Sequence, residues 1–123
     1  MLPNFLKPFH IDNQKLLRVG PKFDGGYIVD KKSILNTNII VTCGLNDDWE
    51  FEKSFLRMNS KCVVNAYDHT IDKKFWKKRF KKDIKHLFLL KKIRLRKIID
   101  IFKYLDYLNF FKNDNKHHIL KIG

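Results

Sequence analysis

Two short stretches of this chain carry residue types that could grip a nucleoside-like ligand: Gly44 with the polar residues behind it, and Asp68. Gly44 closes the β-branched run from Ile39 to Cys43 and would let a ligand approach the backbone. A helix starting beyond Asn46, Asp47 and Asp48 would then present free N–H groups to that ligand. Asp68 lies 24 residues after Gly44, at the end of a second apolar run from Lys61 to Tyr67. A carboxylate there can accept hydrogen bonds from both hydroxyls of an adenosine ribose, and dinucleotide folds place such an acid about 20 residues past their glycine loop. A glycine and an acid at strand ends are equally the residues that start turns. The loop lacks the full G-x-G-x-x-G spacing, and Asp47 and Asp48 would repel a pyrophosphate. A cofactor without phosphates fits better, and the positive sulfonium and amine of S-adenosylmethionine would be favoured by acidic neighbours.

Other chemistries find less support. Cys43 and Cys62 each sit inside an apolar run, which argues against a disulfide scaffold or a four-ligand zinc site and for reduced core thiols. None of the five histidines forms a metal-binding pattern, and the neighbours His117 and His118 would point to opposite faces of a strand.

The elements that must position these residues follow from periodicity. Residues 1–14 contain Pro3 and Pro8 and show no period, so they form an irregular lead-in. From Arg18 to Val29, the turn signals Gly20-Pro21 and Asp24-Gly25-Gly26 flank short apolar stretches and predict a β-hairpin. The run Ile39 to Cys43 predicts a strand buried on both faces of a parallel sheet. Asp47 is placed to cap a helix, with Glu50 three residues on and Phe51, Phe55 and Met58 along one face, ending near Asn59. Lys61 to Tyr67 predicts the next strand, completing a β-α-β unit. Phe75 to about Phe111 predicts two helices with a break near Lys91 and a shared apolar face of Ile84, Leu87, Phe88, Leu95, Ile98, Phe102 and Leu105. After a loop at Asn113-Asp114-Asn115, His118 to Ile122 predicts a third strand.

The net charge of +13 belongs to one part of the chain. Residues 1–72 hold 9 basic and 9 acidic side chains, whereas residues 73–123 hold 17 against 4. Within that half, Lys73 to Lys97 carries 13 basic residues against Asp83 alone, enough to attract an acidic glycan, an anionic membrane surface or RNA, or simply to be a solvated helix face. No run approaches the roughly 18 apolar residues of a membrane span, and Met1 to His10 has no signal-peptide pattern, so the expected location is cytoplasmic.

Taken in order, Arg18-Val19-Gly20, then Asp24-Gly25-Gly26-Tyr27, then Thr42 to Glu52, then Tyr67 to Ile71 and finally Ile119 to Ile122 resemble the FkbM-type and related methyltransferase-like proteins. The resemblance covers nearly the whole chain. It implies a class I methyltransferase (Rossmann-like) α/β fold, with a parallel sheet and helices preceded by a short β-hairpin. It also implies methyl transfer from S-adenosylmethionine, commonly to a hydroxyl on a sugar or another small acceptor. By position it marks Gly44, Asn46 and Asp48 as the cofactor loop and Asp68 as the ribose acid, with His69 and Thr70 beside the cofactor. Arg18, Gly20, Asp24, Gly25, Gly26 and Tyr27 belong to its motif without an assigned role. The implied organisation is a lead-in and hairpin over 1–37 and a cofactor-binding domain over 38–123, with a basic helical insertion at 73–111. The family pattern continues with an acid and an acidic-Gly step where this chain has Gly123, so the resemblance implies only the front part of that fold. A non-catalytic basic module that binds polyanions is the alternative expectation.

Overall fold

The computed structural model describes residues 3–7, 12–89 and 95–122. The chain forms two compact units, Met1–Thr37 with Glu50–Lys61, and Asn38–Trp49 with Cys62–Gly123.

In the first unit, 3-10 turns at Asn4–Leu6 and Asn13–Lys15 lead into strands β1 (Leu16–Val19) and β2 (Tyr27–Asp30). The strands pair antiparallel from Leu16↔Asp30 to Val19↔Tyr27, which is the expected hairpin. Arg18 explains much of its connecting loop. Its Nε and Nη2 donate to the carbonyls of Pro21, Lys22 and Phe23 at 2.7–3.1 Å, so one planar guanidinium gathers three turn carbonyls. Gly20 and Gly25 take positive φ (90° and 77°), and a Cβ on Gly26 would lie 2.0 Å from the Pro21 carbonyl oxygen. Asp24 Oδ1 accepts from the Gly25 N–H at 2.9 Å. Tyr27 meets Phe51 edge to face. The motif residues of this segment thus have roles in building the hairpin.

A short helix absent from the periodicity, α1 (Lys31–Asn36), follows because Asp30 caps it, accepting from the Ser33 N–H at 2.8 Å. The helix α2 (Glu50–Met58) completes this unit, whose core is Val19, Ile34 and Phe55. Two details of α2 differ from expectation. Met58 is exposed while Glu52 is buried, and Asp47 lies outside the helix in an ion pair described below. The stop at Asn59 holds, since its Nδ2 donates to the carbonyls of Ile34 and Thr37 and so ties the end of α2 to the end of α1.

The second unit is built on a parallel sheet of β3 (Ile39–Cys43), β4 (Val63–Tyr67) and β5 (Lys116–His118), in that spatial order. Ile39 pairs with Val63 and Cys43 with Tyr67, while Asn65 pairs with Lys116 and Tyr67 with His118. This is an α/β arrangement compatible with part of a Rossmann-like sheet. Val64 and Ala66 of β4 are fully buried. β3 is not buried on both faces as its composition suggested: Ile39, Val41 and Cys43 face outward, because β3 is a sheet edge with one of its faces open. Cys43 is accordingly an exposed thiol and Cys62 a buried one.

β5 also starts earlier and ends sooner than expected. The Asp68 N–H still donates to the His118 carbonyl at 3.1 Å, but there the chain leaves β4 and turns, so Ile119, Leu120 and Ile122 have no ladder to join and stay exposed. Asn115 positions the strand start, accepting from the Val64 N–H and donating to the Phe110 carbonyl.

Between β4 and β5 run α3 (Lys73–Leu89) and α4 (Leu95–Phe110). The expected break near Lys91 lies outside the described residues, as do the side chains of Leu87, Leu95 and Ile98. Phe88, Phe102 and Leu105 are exposed rather than in the core. The helices meet instead through Trp76, Tyr104 and Tyr107, with Trp49 against Trp76 and Tyr107, because these larger rings bury more apolar area for each contact.

Candidate functional site

Parallel pairing puts the carboxyl ends of β3 and β4 at one edge, and the two turns that follow are bonded together. The Gly44 N–H donates to the Tyr67 carbonyl at 2.9 Å, and the Asn46 N–H donates to Asp68 Oδ2 at 2.7 Å. Asp68 Oδ1 accepts from both the N–H and the hydroxyl of Thr70, at 2.7 and 2.6 Å. The Gly44 and Asp68 turns, read from sequence spacing, are therefore neighbours.

Their accessibilities are unequal. Gly44, Asn46, Asp48, His69 and Thr70 are exposed at this edge, whereas Asp68 is 6% exposed and directs its carboxylate onto backbone and hydroxyl donors. Burial alone would raise the Asp68 pKa. The hydrogen bonds from Thr70 and Asn46 outweigh it and hold the carboxyl below its ordinary value, so Asp68 is an anion that ties the two turns together. Gly44 has φ +75°, and nothing lies within 4 Å of where its Cβ would be. Its backbone therefore borders open space. Asn46 also adopts positive φ (52°), a conformation Asn tolerates better than most residues.

The acidic field expected from Asp47 is largely cancelled. Asp47 Oδ2 pairs with Arg79 of α3, and Lys103 of α4 lies 3.5 Å from the same oxygen. Burial pushes the Asp47 carboxyl up, but Lys103 and Arg79 outweigh it and bring the carboxyl below its ordinary value. Trp49 Nε1 donates to Asp106 at 3.1 Å. Two helices of the basic segment thus anchor the loop that follows Gly44. Asp72 caps α3 by accepting from the Phe75 N–H at 2.6 Å.

A cavity of about 270 Å³ opens beside the turn that follows Asp68, among Ile71, Asp72, Tyr104, Tyr107, His117 and Ile119. The Asp68 carbonyl can only accept, so His117 Nε2, 3.0 Å away, must donate to it; this leaves Nδ1 to accept from the Tyr107 hydroxyl in the neutral ring. Burial lowers the His117 pKa and so favours that neutral form. Burial raises the Tyr107 pKa, with Tyr104 adding to the effect. His118 points the other way, stacked on Tyr67 with ring centroids 4.6 Å apart, which agrees with the alternation read from sequence. His117 and Tyr107 were not singled out as site residues. The signal available was that alternation, which puts one of two adjacent histidines on the covered face. Among the described residues no cluster of His, Cys, Asp and Glu could hold a metal.

No family model, no curated protein and no solved structure matches this chain.

Proposed function

We propose that the chain binds S-adenosylmethionine at the carboxyl ends of β3 and β4 and belongs to a methyltransferase of the FkbM-like kind, acting on a hydroxyl of a sugar or another small acceptor. The observation that carries this reading is the paired turn: Gly44, backed by open space, beside an Asp68 carboxylate that already organises hydrogen-bond donors. A ligand lying over Gly44 meets exposed polar groups on both turns, namely Asn46, His69 and Thr70. Its ribose hydroxyls would share Asp68 with the Asn46 N–H and the Thr70 hydroxyl, and the negative charge that the carboxyl retains favours that sharing. When bound, the cofactor supplies an electrophilic methyl group on a sulfonium. The chain supplies the cradle and its orientation.

Calorimetric titration with S-adenosylhomocysteine tests this. Saturable binding to the folded chain is expected. Gly44→Ala should weaken it by about tenfold or more while costing only about 1–2 kcal/mol of stability, because the new methyl enters the open space and the residue keeps positive φ. No binding to a chain shown to be folded would overturn the proposal. Equal affinity for ADP would point to a general nucleotide site instead.

A further inference from the structure

The seven lysines of α3, at 73, 74, 77, 78, 81, 82 and 85, are all exposed. No ion pair joins any of them to a described carboxylate, since the ion pairs of this region use Arg79 and Lys103. On an α-helix, Lys73, Lys77, Phe80, Lys81, Ile84 and Phe88 fall within an arc of about 100°. Basic and apolar side chains therefore share one flank. Phe88 on that flank is 87% exposed. Beside Phe80 opens a groove of about 320 Å³ lined by Trp76, Lys77, Phe80, Phe102, Tyr104 and Leu105, almost wholly apolar and continuous with exposed Phe102 and Leu105 on α4.

A solvated helix face does not need exposed Phe80, Phe88, Phe102 and Leu105 in one region, and each costs free energy in water. A nucleic acid would use the lysines, but the groove's side-chain hydrogen-bonding groups are only the Tyr104 hydroxyl, the Lys77 ammonium and the Trp76 indole N–H, which is buried, so little is offered to read a base edge. An anionic lipid leaflet matches both features. Its headgroups pair with the lysines, while the boundary of its acyl region takes the phenylalanines and fills the groove as the lysine stems reach outward. Among the described residues no helix is long and apolar enough to cross a membrane, so the contact lies along the surface.

We propose that α3 and α4 form a docking face for an anionic lipid surface. This stands apart from the cofactor reading, because it uses none of Gly44, Asn46, Asp68 or Thr70.

The test is co-sedimentation of the 123-residue chain with vesicles of phosphatidylcholine alone, or with about one lipid in three replaced by phosphatidylglycerol. The chain should bind the anionic vesicles at least ~10-fold more strongly than the neutral ones. Raising the salt to about 0.5 M should weaken binding without removing it, because the apolar part is not screened. Phe88→Ser, at a position too exposed to threaten folding, should weaken partition by about tenfold, and Lys77→Glu with Lys81→Glu by more. No preference for anionic vesicles overturns the proposal. So does binding to heparin or single-stranded RNA that equals the vesicle affinity and does not change with Phe88→Ser, which would assign the face to a soluble polyanion.

Discussion

Asp68 and His117 share one backbone group, since the carbonyl of the first accepts from the ring of the second. Burial of the His117 ring and the hydrogen bonds to the Asp68 carboxylate give the site a pH dependence with two separate windows. The His117 pKa in the folded chain lies below its ordinary 6.5, so between those two values the unfolded chain holds a proton that the folded chain does not. Stability contributed by the neutral ring is full above the ordinary value and falls as the pH drops through this window. Asp68 acts lower down. Its folded pKa lies below the ordinary 3.8, so its contribution is present above that value and is lost as the pH falls through the folded one. Urea unfolding should show a first loss of stability as the pH falls below the ordinary histidine value of 6.5, and the His117 ring proton followed by NMR should titrate below that value. Tyr107→Phe removes the donor to His117 Nδ1 and should cost about 1–2 kcal/mol at pH 8. A His117 that titrates at or above 6.5, together with a neutral Tyr107→Phe, would show that the buried neutral ring does not contribute.

At the scale of elements, the hairpin loop makes a sharper demand than the Gly44 turn. Gly44→Ala meets only its own φ, but Gly26→Ala would put a methyl on the Pro21 carbonyl and crowd the Arg18 guanidinium, whose Nη2 lies 2.8 Å from where that methyl would sit. The loop must open or Arg18 must release its three carbonyls, and the expected cost is about 3 kcal/mol or more, read as lost amide-exchange protection over residues 16–30. Wild-type protection in this variant would mean that the loop relaxes freely. The contrast also shows which features were legible in the sequence. The hairpin, β4 and the Gly44–Asp68 proximity follow from local turn residues and strand period, so they appear in the letters. The exposed face of β3, the early end of β5 and the core between α3 and α4 depend on which neighbours exist and where they stop, which period alone does not carry. Asp47 illustrates the same limit. Its spacing from Glu50 suggested a helix cap, but its partner Arg79 lies 32 residues away, and only the fold brings that guanidinium to it.

The whole chain sets two surface properties against each other. Its formal charge of +13 makes like molecules repel over distance, while β3 offers an open strand edge with Ile39 and Val41 outward, Val41 at 63% exposure, and Ile119, Leu120 and Ile122 also stand in solvent. Edge strands with apolar side chains pair with other chains unless charge keeps them apart. That charge is concentrated on α3 and acts through a screening length of about 10 Å at 0.1 M salt and about 3 Å at 1 M, so added salt removes the repulsion and leaves the apolar attraction intact. Sedimentation velocity should therefore find a monomer at about 20 mM salt and reversible association above about 0.5 M, the reverse of what ionic contacts would give. Val41→Lys places a charge in the middle of the open β3 face and should keep the chain monomeric at both salt levels. Lys77→Glu with Lys81→Glu lowers the net charge by four, since each change removes a positive charge and adds a negative one, and should shift association to lower salt. Association that weakens with salt, or that persists in Val41→Lys, would place the contact on a charged surface and clear β3 of the role.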